Sequence, residues 1–257
     1  MKRILHTVLF LVVVSLCMSC GADIEETITL DDQYQGTYEV QTDMIPMMRS
    51  MAYQFAVFAK SADGNEDEGG KIDSAKIEAD IFKDMPEVVD SIIPLHKMTK
   101  EATLSPEDKI KLEKQLKMYM KGGKKSGQMI MGMLYTFTSI QDLNELNAIM
   151  ERNKESSEDS KLKQLSGNVS YTLSGNTFTR IYSEKTKASS NEENEELLAQ
   201  MMFKNTFYRT TVNSKRKILK AKGSGLKMQK DHQVVFEYPM KDYMDGTIKQ
   251  DFILELE

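Results

Sequence analysis

Several short stretches of the chain alternate apolar and polar residues, which is the spacing of half-buried β-strands. Residues 26–44 do so twice around a turn rich in Asp and Gly, and therefore predict a β-hairpin. Residues 167–184 predict a second hairpin around a Ser-Gly-Asn turn. Further strands are predicted at 128–137, 206–212, 216–221, 233–239 and 247–257, with a turn at 241–246 before the last.

Other stretches place apolar residues at steps of three and four, which is typical of helices with one buried face. Residues 44–60 form the first of these helices. The second, 105–120, has Ser105 as its cap and Pro106 at its first position. A third helix, 139–152, has Ser139 as its cap and Asp142 at its third position. A fourth is predicted at 192–205.

Polar segments separate these elements. Residues 61–70 contain Gly, Asp and Glu but not the ligand order of an EF-hand, so we predict an exposed loop and no calcium site. Residues 71–98 predict a helical or mixed segment. The order of elements predicts an α+β fold, with a mainly antiparallel sheet built from hairpins and amphipathic helices packed on one face.

The first residues have a different pattern. Met1-Lys2-Arg3 is a short positive start, and residues 4–16 are almost wholly apolar. This is the pattern of a secretory signal peptide, and the run is too short for a permanent membrane helix. We predict a signal peptide at 1–19, a lipidated anchor and tether at 20–25, and a single α+β domain at 26–257.

The chain has two cysteines, Cys17 and Cys20, and both lie at the end of this apolar run. The end of the apolar run resembles the lipobox of bacterial lipoproteins, because Ser19 precedes Cys20 and Gly21 follows it. Cys17 and Met18 depart from the residues usual at their positions. Cys20 is therefore the expected lipidation site, and several acyl chains would hold the protein on a membrane. A Cys17–Cys20 disulfide is the alternative interpretation.

Composition limits the function. The chain carries 34 Lys and Arg against 39 Asp and Glu, and loss of Lys2 and Arg3 makes the balance more negative, so nucleic acid is not an expected partner. The longest basic cluster, 213–230, alternates cations with apolar residues and is interpreted as a solvated sheet face, with a ligand-binding surface as the alternative.

No sequence motif indicates a particular enzymatic reaction. The segment after the signal has two histidines, His96 and His232, and both are interpreted as structural or solvated. Zinc-protease, nucleophile-elbow, Walker and dinucleotide motifs are absent from the sequence. We therefore predict no catalytic residues, no metal site, no cofactor and no enzyme activity. A hydrolase with a carboxylate site remains a distant alternative.

The layout resembles a family of Bacteroidetes outer-membrane lipoproteins without a defined activity. The resemblance is carried by the lipobox and by five segments in order: "ITLDDQYQGTYEVQTDM", "KID", "LSPEDKIKLEKQLKM", "MLYTFTSIQDLNEL" and "LSGNTFTRIYSE". The opening hairpin and helix also look like a domain of mycobacterial lipoproteins implicated in surface-lipid handling. The first resemblance implies O-glycosylation at Asp-Ser followed by a small or aliphatic residue, which matches Ser74 and Ser91. The alternative is that both are ordinary loop or cap serines.

Two functional hypotheses follow. The first is a non-enzymatic binding module, anchored by Cys20, that presents its domain to a protein, glycan or lipid partner. The second is a lipid-handling periplasmic module in which the helix at 44–60 encloses an apolar groove. Gly21, in place of the aspartate that retains enteric lipoproteins in the inner membrane, implies the outer membrane. The periplasmic face and the cell surface both remain open.

Overall fold

The protein was analysed as a computed structural model that describes residues 22–62, 73–93, 105–155, 168–183, 206–244 and 247–257. These segments form twelve strands in two mostly antiparallel sheets and five helices. The predicted α+β class is confirmed. The predicted anchor at Cys20, the loop at 61–70 beyond Ala62, His96 and the helix at 192–205 lie outside the described residues.

The larger sheet has eight strands in the order β10-β11-β8-β1-β2-β5-β4-β3. In chain order these strands are β1 (Ile24–Leu30), β2 (Gly36–Asp43), β3 (Val89–Ile93), β4 (Leu116–Gly123), β5 (Gln128–Phe137), β8 (Phe207–Ser214), β10 (Leu226–Lys230) and β11 (Gln233–Pro239). The predicted first hairpin is β1 and β2, and β8 pairs with β1 in parallel.

The smaller sheet has four strands in the order β6-β7-β12-β9. They are β6 (Asn168–Ser174), β7 (Thr177–Ser183), β9 (Ile218–Gly223) and β12 (Phe252–Leu256). The predicted second hairpin is β6 and β7. The prediction of one sheet was incomplete, because β12 inserts between β7 and β9, and local sequence patterns do not specify that non-local pairing.

The helices are α1 (Met44–Ala62), α2 (Ser74–Lys83), α3 (Pro106–Gln115), α4 (Ile140–Glu155) and α5 (Met240–Met244). Ser105 caps α3 and accepts a hydrogen bond from the N–H of Asp108 at 3.1 Å, as predicted. The predicted extension of α3 to residue 120 is wrong, because residues 116–123 form β4 and pair with β5. A one-turn helix, α5, replaces the turn predicted at 241–246.

Both sheets contribute side chains to one hydrophobic core. Ile28, Val212 and Phe236 of the larger sheet are fully buried, as are Phe178 and Leu254 of the smaller one. Helix α4 adds four apolar residues to the same core: Ile140, Leu143, Leu146 and Ile149. The core is therefore built largely between two sheets, and this differs from the prediction of one sheet covered by helices.

The strand register gives the larger sheet two distinct ends. We call the end where Ile24 pairs with Thr42 and Tyr208 the anchor end, because Cys20 lies four residues before Ile24. The distal end is where Leu30 pairs with Gly36 and Ser214. β1 has seven residues and therefore spans roughly 20 Å between the two ends.

Candidate functional site

A cavity of about 430 Å³ opens at the distal end of the larger sheet. Its walls come from the β1–β2 turn, the start of α4 and strand β6. We call it the polar groove; it is lined by Gln33, Tyr34, Thr138, Ser139, Ile140, Gln141, Asn144, Tyr171, Thr172 and Leu173. Eight of these ten residues have uncharged polar side chains, two of them tyrosines, and none of the ten carries a formal charge at neutral pH.

The β1–β2 turn holds Tyr34 in an uncommon backbone conformation. Tyr34 has a φ of 60°, a left-handed conformation that non-glycine residues seldom adopt. Asp31 fixes the turn, because its Oδ1 accepts hydrogen bonds from the N–H groups of Gln33 and Gln35 at 2.8 and 2.9 Å. Strained backbone of this kind persists where the surroundings hold it, and it is found often at functional sites.

Arg216 packs against Tyr34. Its guanidinium carbon lies 4.5 Å from the centre of the tyrosine ring, and its Nη1 donates to the Tyr34 hydroxyl at 3.0 Å. The remaining donors bond to backbone: Nε and Nη2 donate to the carbonyl of Asp32 at 2.9 and 2.7 Å, and Nη1 also donates to that of Glu257 at 3.2 Å. The guanidinium is thus used to hold the turn in place.

The start of α4 forms the second wall, and the predicted cap is confirmed. Ser139 Oγ accepts a hydrogen bond from the N–H of Asp142 at 3.1 Å, and Asp142 Oδ2 accepts one from the N–H of Thr138 at 3.0 Å. The carboxylate also accepts from the Tyr135 hydroxyl and the Gln115 amide, both at 3.0 Å. The carboxylate of Asp142 therefore already places a negative charge in the first turn of α4.

The pKa of Asp142 follows from these contacts. Burial by itself would raise the pKa of this carboxyl group. The hydrogen bonds from Lys111, Thr138 and Tyr135, with the positive charge of Lys111, outweigh burial and lower the pKa below its ordinary value. Asp142 is therefore ionised at neutral pH.

Strand β6 forms the third wall, and α4 covers part of its free edge. Asn144 Oδ1 accepts from the N–H of Tyr171 at 2.7 Å, and Asn144 Nδ2 donates to the Tyr171 carbonyl at 2.8 Å. One turn further along the helix, Asn147 Nδ2 donates to the carbonyl of Val169 at 3.0 Å. Two asparagine side chains thus occupy positions that a neighbouring strand would otherwise take.

Tyr171 connects the polar groove to a buried ion pair between the sheets. Its hydroxyl donates to Glu26 Oε1 at 3.3 Å, and Glu26 pairs with Arg180. Thr210 donates to Glu26 at 2.7 Å, and Arg180 Nη2 donates to the side-chain oxygen of Gln250 at 2.9 Å. Glu26 lies in the larger sheet and Arg180 in the smaller one, so this pair joins the two sheets.

Both members of the pair are charged in the folded protein. Burial would raise the pKa of Glu26, but the charge of Arg180 and the hydrogen bonds from Thr210 and Arg180 lower it. Arg180 Nε has no hydrogen-bond partner among the described residues. A buried charge without its counter-charge is costly, so any shift of one sheet against the other that separates Glu26 from Arg180 is unfavourable.

A second cavity, of about 340 Å³, lies at the anchor end. Three of its lining residues are acidic, namely Asp23, Glu25 and Asp43. The other lining residues are Gln41, Thr42, Pro46, Gln128 and Ile130. Pro46 belongs to the first turn of α1, so this cavity adjoins the helix of the lipid-handling hypothesis. Its acidic lining differs from the apolar groove that this hypothesis predicts beneath the helix.

The residues singled out in the sequence lie apart from one another. Ser74 is exposed at the start of α2, which Asp73 caps, and Ser91 is exposed on the edge strand β3. Their glycosylation stays a prediction. His232 is exposed in the β10–β11 turn, and its Nδ1 lies 3.1 Å from the carbonyl oxygen of Ser214.

Among the described residues, no group of three or more His, Cys, Asp or Glu side chains is placed to hold a metal ion. The helices of these segments also include none that is both long enough and apolar enough to cross a membrane.

Sequence patterns did not identify the polar groove, although they predicted its parts. The turn at Asp31 and the cap at Ser139 were both expected from local signals. Their approach to Thr172 depends on the β2–β5 pairing and on the packing of α4 against β6, which no local pattern specifies. The left-handed Tyr34 had no sequence signal, because turns of this kind favour Gly, Asn or Asp.

Comparisons with known proteins complete the description. No protein-family model matches the chain, and no curated protein matches it. Among solved structures, the fold is similar to the folded domain of LppM from Mycobacterium tuberculosis, determined by NMR. The two chains are 10% identical, the match covers 93% of this chain and 91% of that one, and the TM-score is 0.39.

Proposed function

We propose that this protein is a lipid-anchored envelope protein whose domain binds a partner at the polar groove without converting it chemically. The lipid on Cys20 holds the anchor end against the outer membrane, and the groove faces the opposite way. The observation that carries the proposal is the placement of the groove at the distal end of a sheet whose other end adjoins the lipidation site.

The tether is short. Cys20 precedes Ala22, the first described residue, by two positions in the sequence. Asp23 is already fixed to the sheet, since its Oδ1 accepts from the N–H of Phe207 at 2.8 Å and its carbonyl accepts from Thr42 Oγ1 at 2.9 Å. A tether this short keeps the anchor end near the headgroups, so that the groove stands roughly 20 Å further out along β1.

The lining of the groove supports binding over catalysis. General acid–base and nucleophilic reactions use groups such as His, Cys, Lys and carboxylates placed together. The polar groove is lined by amides, hydroxyls and tyrosines, and of these the side chains of Gln141, Thr172 and Ser139 keep groups that can hydrogen-bond with a ligand. Its volume is within the range of small-ligand sites. A hydrolase would need a different site.

The same placement favours a partner outside the membrane over lipid handling. A module that takes lipid from its own membrane needs an apolar opening near the anchor end. The lining of the cavity at that end includes Asp23, Glu25 and Asp43, whose carboxylates would repel anionic headgroups and disfavour the entry of acyl chains.

Photo-cross-linking in cells of the native host tests the proposal. A photoreactive amino acid at Gln141, in the groove, should form a covalent adduct with an envelope component, whereas the same residue at Gln128, at the anchor end, should not form that adduct. Both glutamines are exposed, so they make a matched pair. Adducts at neither site, or the same adducts at both, would contradict a binding role for the groove.

Cys20→Ala provides the companion test of the anchor. The variant should leave the membrane pellet and appear in the soluble fraction, because several acyl chains are lost together. A variant that remains with the membrane would show that something other than Cys20 holds the protein there.

A further inference from the structure

The chemistry of the polar groove also indicates the class of its ligand. We propose that the groove binds an uncharged, polyhydroxylated ligand, namely a neutral oligosaccharide. This inference rests on the proposed binding function and gives it a ligand class.

An anion is disfavoured because the two positive features near the groove are already used. The start of α4 would attract an anion through its free N–H groups and helix dipole. Here the carboxylate of Asp142 already places a negative charge in the first turn of the helix, where it also accepts the N–H of Thr138, the residue before the cap. Arg216 also has its guanidinium donors bonded to Asp32, Tyr34 and Glu257. A phosphate or carboxylate would have to displace the acceptors of Arg216 and would meet the negative charge of Asp142 at the start of α4.

A cation is disfavoured on similar grounds. Asp31 in the β1–β2 turn and Asp142 in the first turn of α4 both accept hydrogen bonds from the chain itself. Asp142 is in addition paired with Lys111 and buried to 8% exposure. Neither residue lines the groove, so a bound cation would meet only uncharged oxygens there.

An extended peptide would normally bind such a site by adding a strand to the edge of β6. Asn144 already bonds both backbone groups of Tyr171, and Asn147 bonds the carbonyl of Val169. These side chains leave no continuous row of free donors and acceptors along that edge. The edge of β6 is therefore not available for strand pairing with a peptide.

The groups that remain suit a sugar. Gln141 and Thr172 are exposed, and neither makes a side-chain hydrogen bond with another described residue. The Ser139 hydroxyl, also in the lining, accepts from Asp142 N–H and keeps its own proton to donate. Tyr34 adds an aromatic ring and Leu173 a half-buried apolar side chain to the same lining. Sugar hydroxyls donate and accept, and the C–H face of a sugar ring packs on apolar surface.

An NMR titration tests the inference. The protein is the mature chain with the substitution Cys20→Ala, which carries no lipid. The probes are neutral hexasaccharides built from glucose, mannose, galactose, xylose or N-acetylglucosamine, each at millimolar concentration. Inorganic phosphate, an unstructured neutral peptide and phosphatidylethanolamine vesicles are the comparison probes. At least one hexasaccharide should shift the backbone amides of Gln33, Gln141 and Thr172, and the comparison probes should leave them unchanged.

Matched variants make the result specific. Gln141→Ala should weaken the hexasaccharide about threefold to tenfold, as expected for the loss of a single hydrogen bond. Gln128→Ala removes an equally exposed glutamine at the anchor end and should leave the affinity unchanged. Equal effects of the two variants would place the sugar outside the groove and overturn the inference.

The outcomes separate this inference from the proposed function. If phosphate or the peptide shifts the groove amides and the hexasaccharides do not, the ligand class is wrong although the groove binds. If no hexasaccharide shifts the groove amides, the inference is overturned, and the cross-link at Gln141 then decides independently whether the groove binds a different partner. A cross-link without a sugar response would retain the binding function alone.

Discussion

Asn144 bonds the N–H and the carbonyl of Tyr171 with the two polar atoms of one side-chain amide, at 2.7 and 2.8 Å. The helix α4 thereby takes the place of a fifth strand at the edge of the smaller sheet. Edge strands with free backbone groups tend to pair with other chains, and covering them is a common protection. In this protein the same contact also shapes one wall of the polar groove.

Replacing Asn144 by Ala should lower the free energy of unfolding by about 1–3 kcal/mol, because two backbone groups lose their partner. Asn147→Ala is the matched control, since Asn147 donates a single hydrogen bond to Val169. Urea denaturation of the two variants checks the order. A loss at Asn147 as large as that at Asn144 would show that the amide pairing with Tyr171 is not the main contribution.

Tyr34 offers a test of backbone strain. Tyr34→Gly and Tyr34→Ala both remove the ring that contacts Arg216, but only glycine adopts a φ of 60° without steric cost. We expect the glycine variant to be more stable than the alanine variant by about 0.5–1 kcal/mol. Denaturation under identical conditions measures the difference. An alanine variant of equal or higher stability would mean that the turn relaxes to another conformation.

Gly132 gives a test of packing on the outer face of the larger sheet. The ring of Tyr119 lies over this glycine, and a Cβ added at Gly132 would stand 2.4 Å from the Tyr119 ring. The Tyr119 hydroxyl also donates to Glu39 at 2.5 Å, so the ring is held on this face. Gly132→Ala should destabilise the fold by about 1–3 kcal/mol.

A double-mutant cycle completes this prediction. In a Tyr119→Ala background the same Gly132→Ala change should cost less, because the ring that it meets is absent. The coupling is read from the free energies of unfolding of the four proteins. Additive effects would indicate that the added methyl group disturbs the β-strand itself and not the contact with Tyr119.

The buried pair of Glu26 and Arg180 predicts a dependence of stability on pH. The pKa of Glu26 is lowered in the folded protein from an ordinary value of 4.5, so its contribution to stability is present above that value. The contribution is lost as the pH falls below 4.5 through the folded-state pKa. Glu26→Gln should remove this dependence and destabilise the protein by about 3–5 kcal/mol at neutral pH, since Arg180 loses its counter-charge.

Denaturation of both proteins as a function of pH measures this effect. Gln250 contacts the other side of the Arg180 guanidinium without carrying charge, which makes Gln250→Ala a suitable comparison. That variant should lower stability without changing its slope against pH. If Glu26→Gln keeps the slope of the unmodified protein below pH 4.5, other carboxyl groups such as Asp142 dominate the acid transition.

The sequence allowed the local elements to be predicted well. Ser105, Ser139 and Asp142 identify helix starts because their caps involve residues within one turn, and both hairpins followed from alternation around Gly-containing turns. The predicted end of α3 was wrong because Leu112, Leu116 and Met120 recur at steps of four, as in a helix. The residues from Leu116 onward also alternate as in a strand. Pairing with β5 decided between the two.

The sequence left the pairing of distant elements open. β12 could have joined either sheet, and its place between β7 and β9 depends on packing of Phe252 against Phe178 and Phe236. The ion pair of Glu26 and Arg180 was not predicted either, because two charges in alternating strands are usually assigned to the solvent face. The candidate site depends on just these long-range contacts, which explains why only its separate parts were foreseen.

In the proposed orientation the polar groove faces away from the membrane that holds the lipid on Cys20. Energy transfer in vesicles tests it directly, because the mature chain offers no other cysteine and a single new thiol can carry a dye. The variants Gln128→Cys and Gln141→Cys are each labelled with a donor dye. Each lipidated variant is then inserted into vesicles whose headgroup layer carries the acceptor dye. We expect strong transfer from position 128 and much weaker transfer from position 141, in keeping with their separation along the sheet. Equal transfer, or stronger transfer from position 141, would place the groove at the membrane and contradict the proposed orientation.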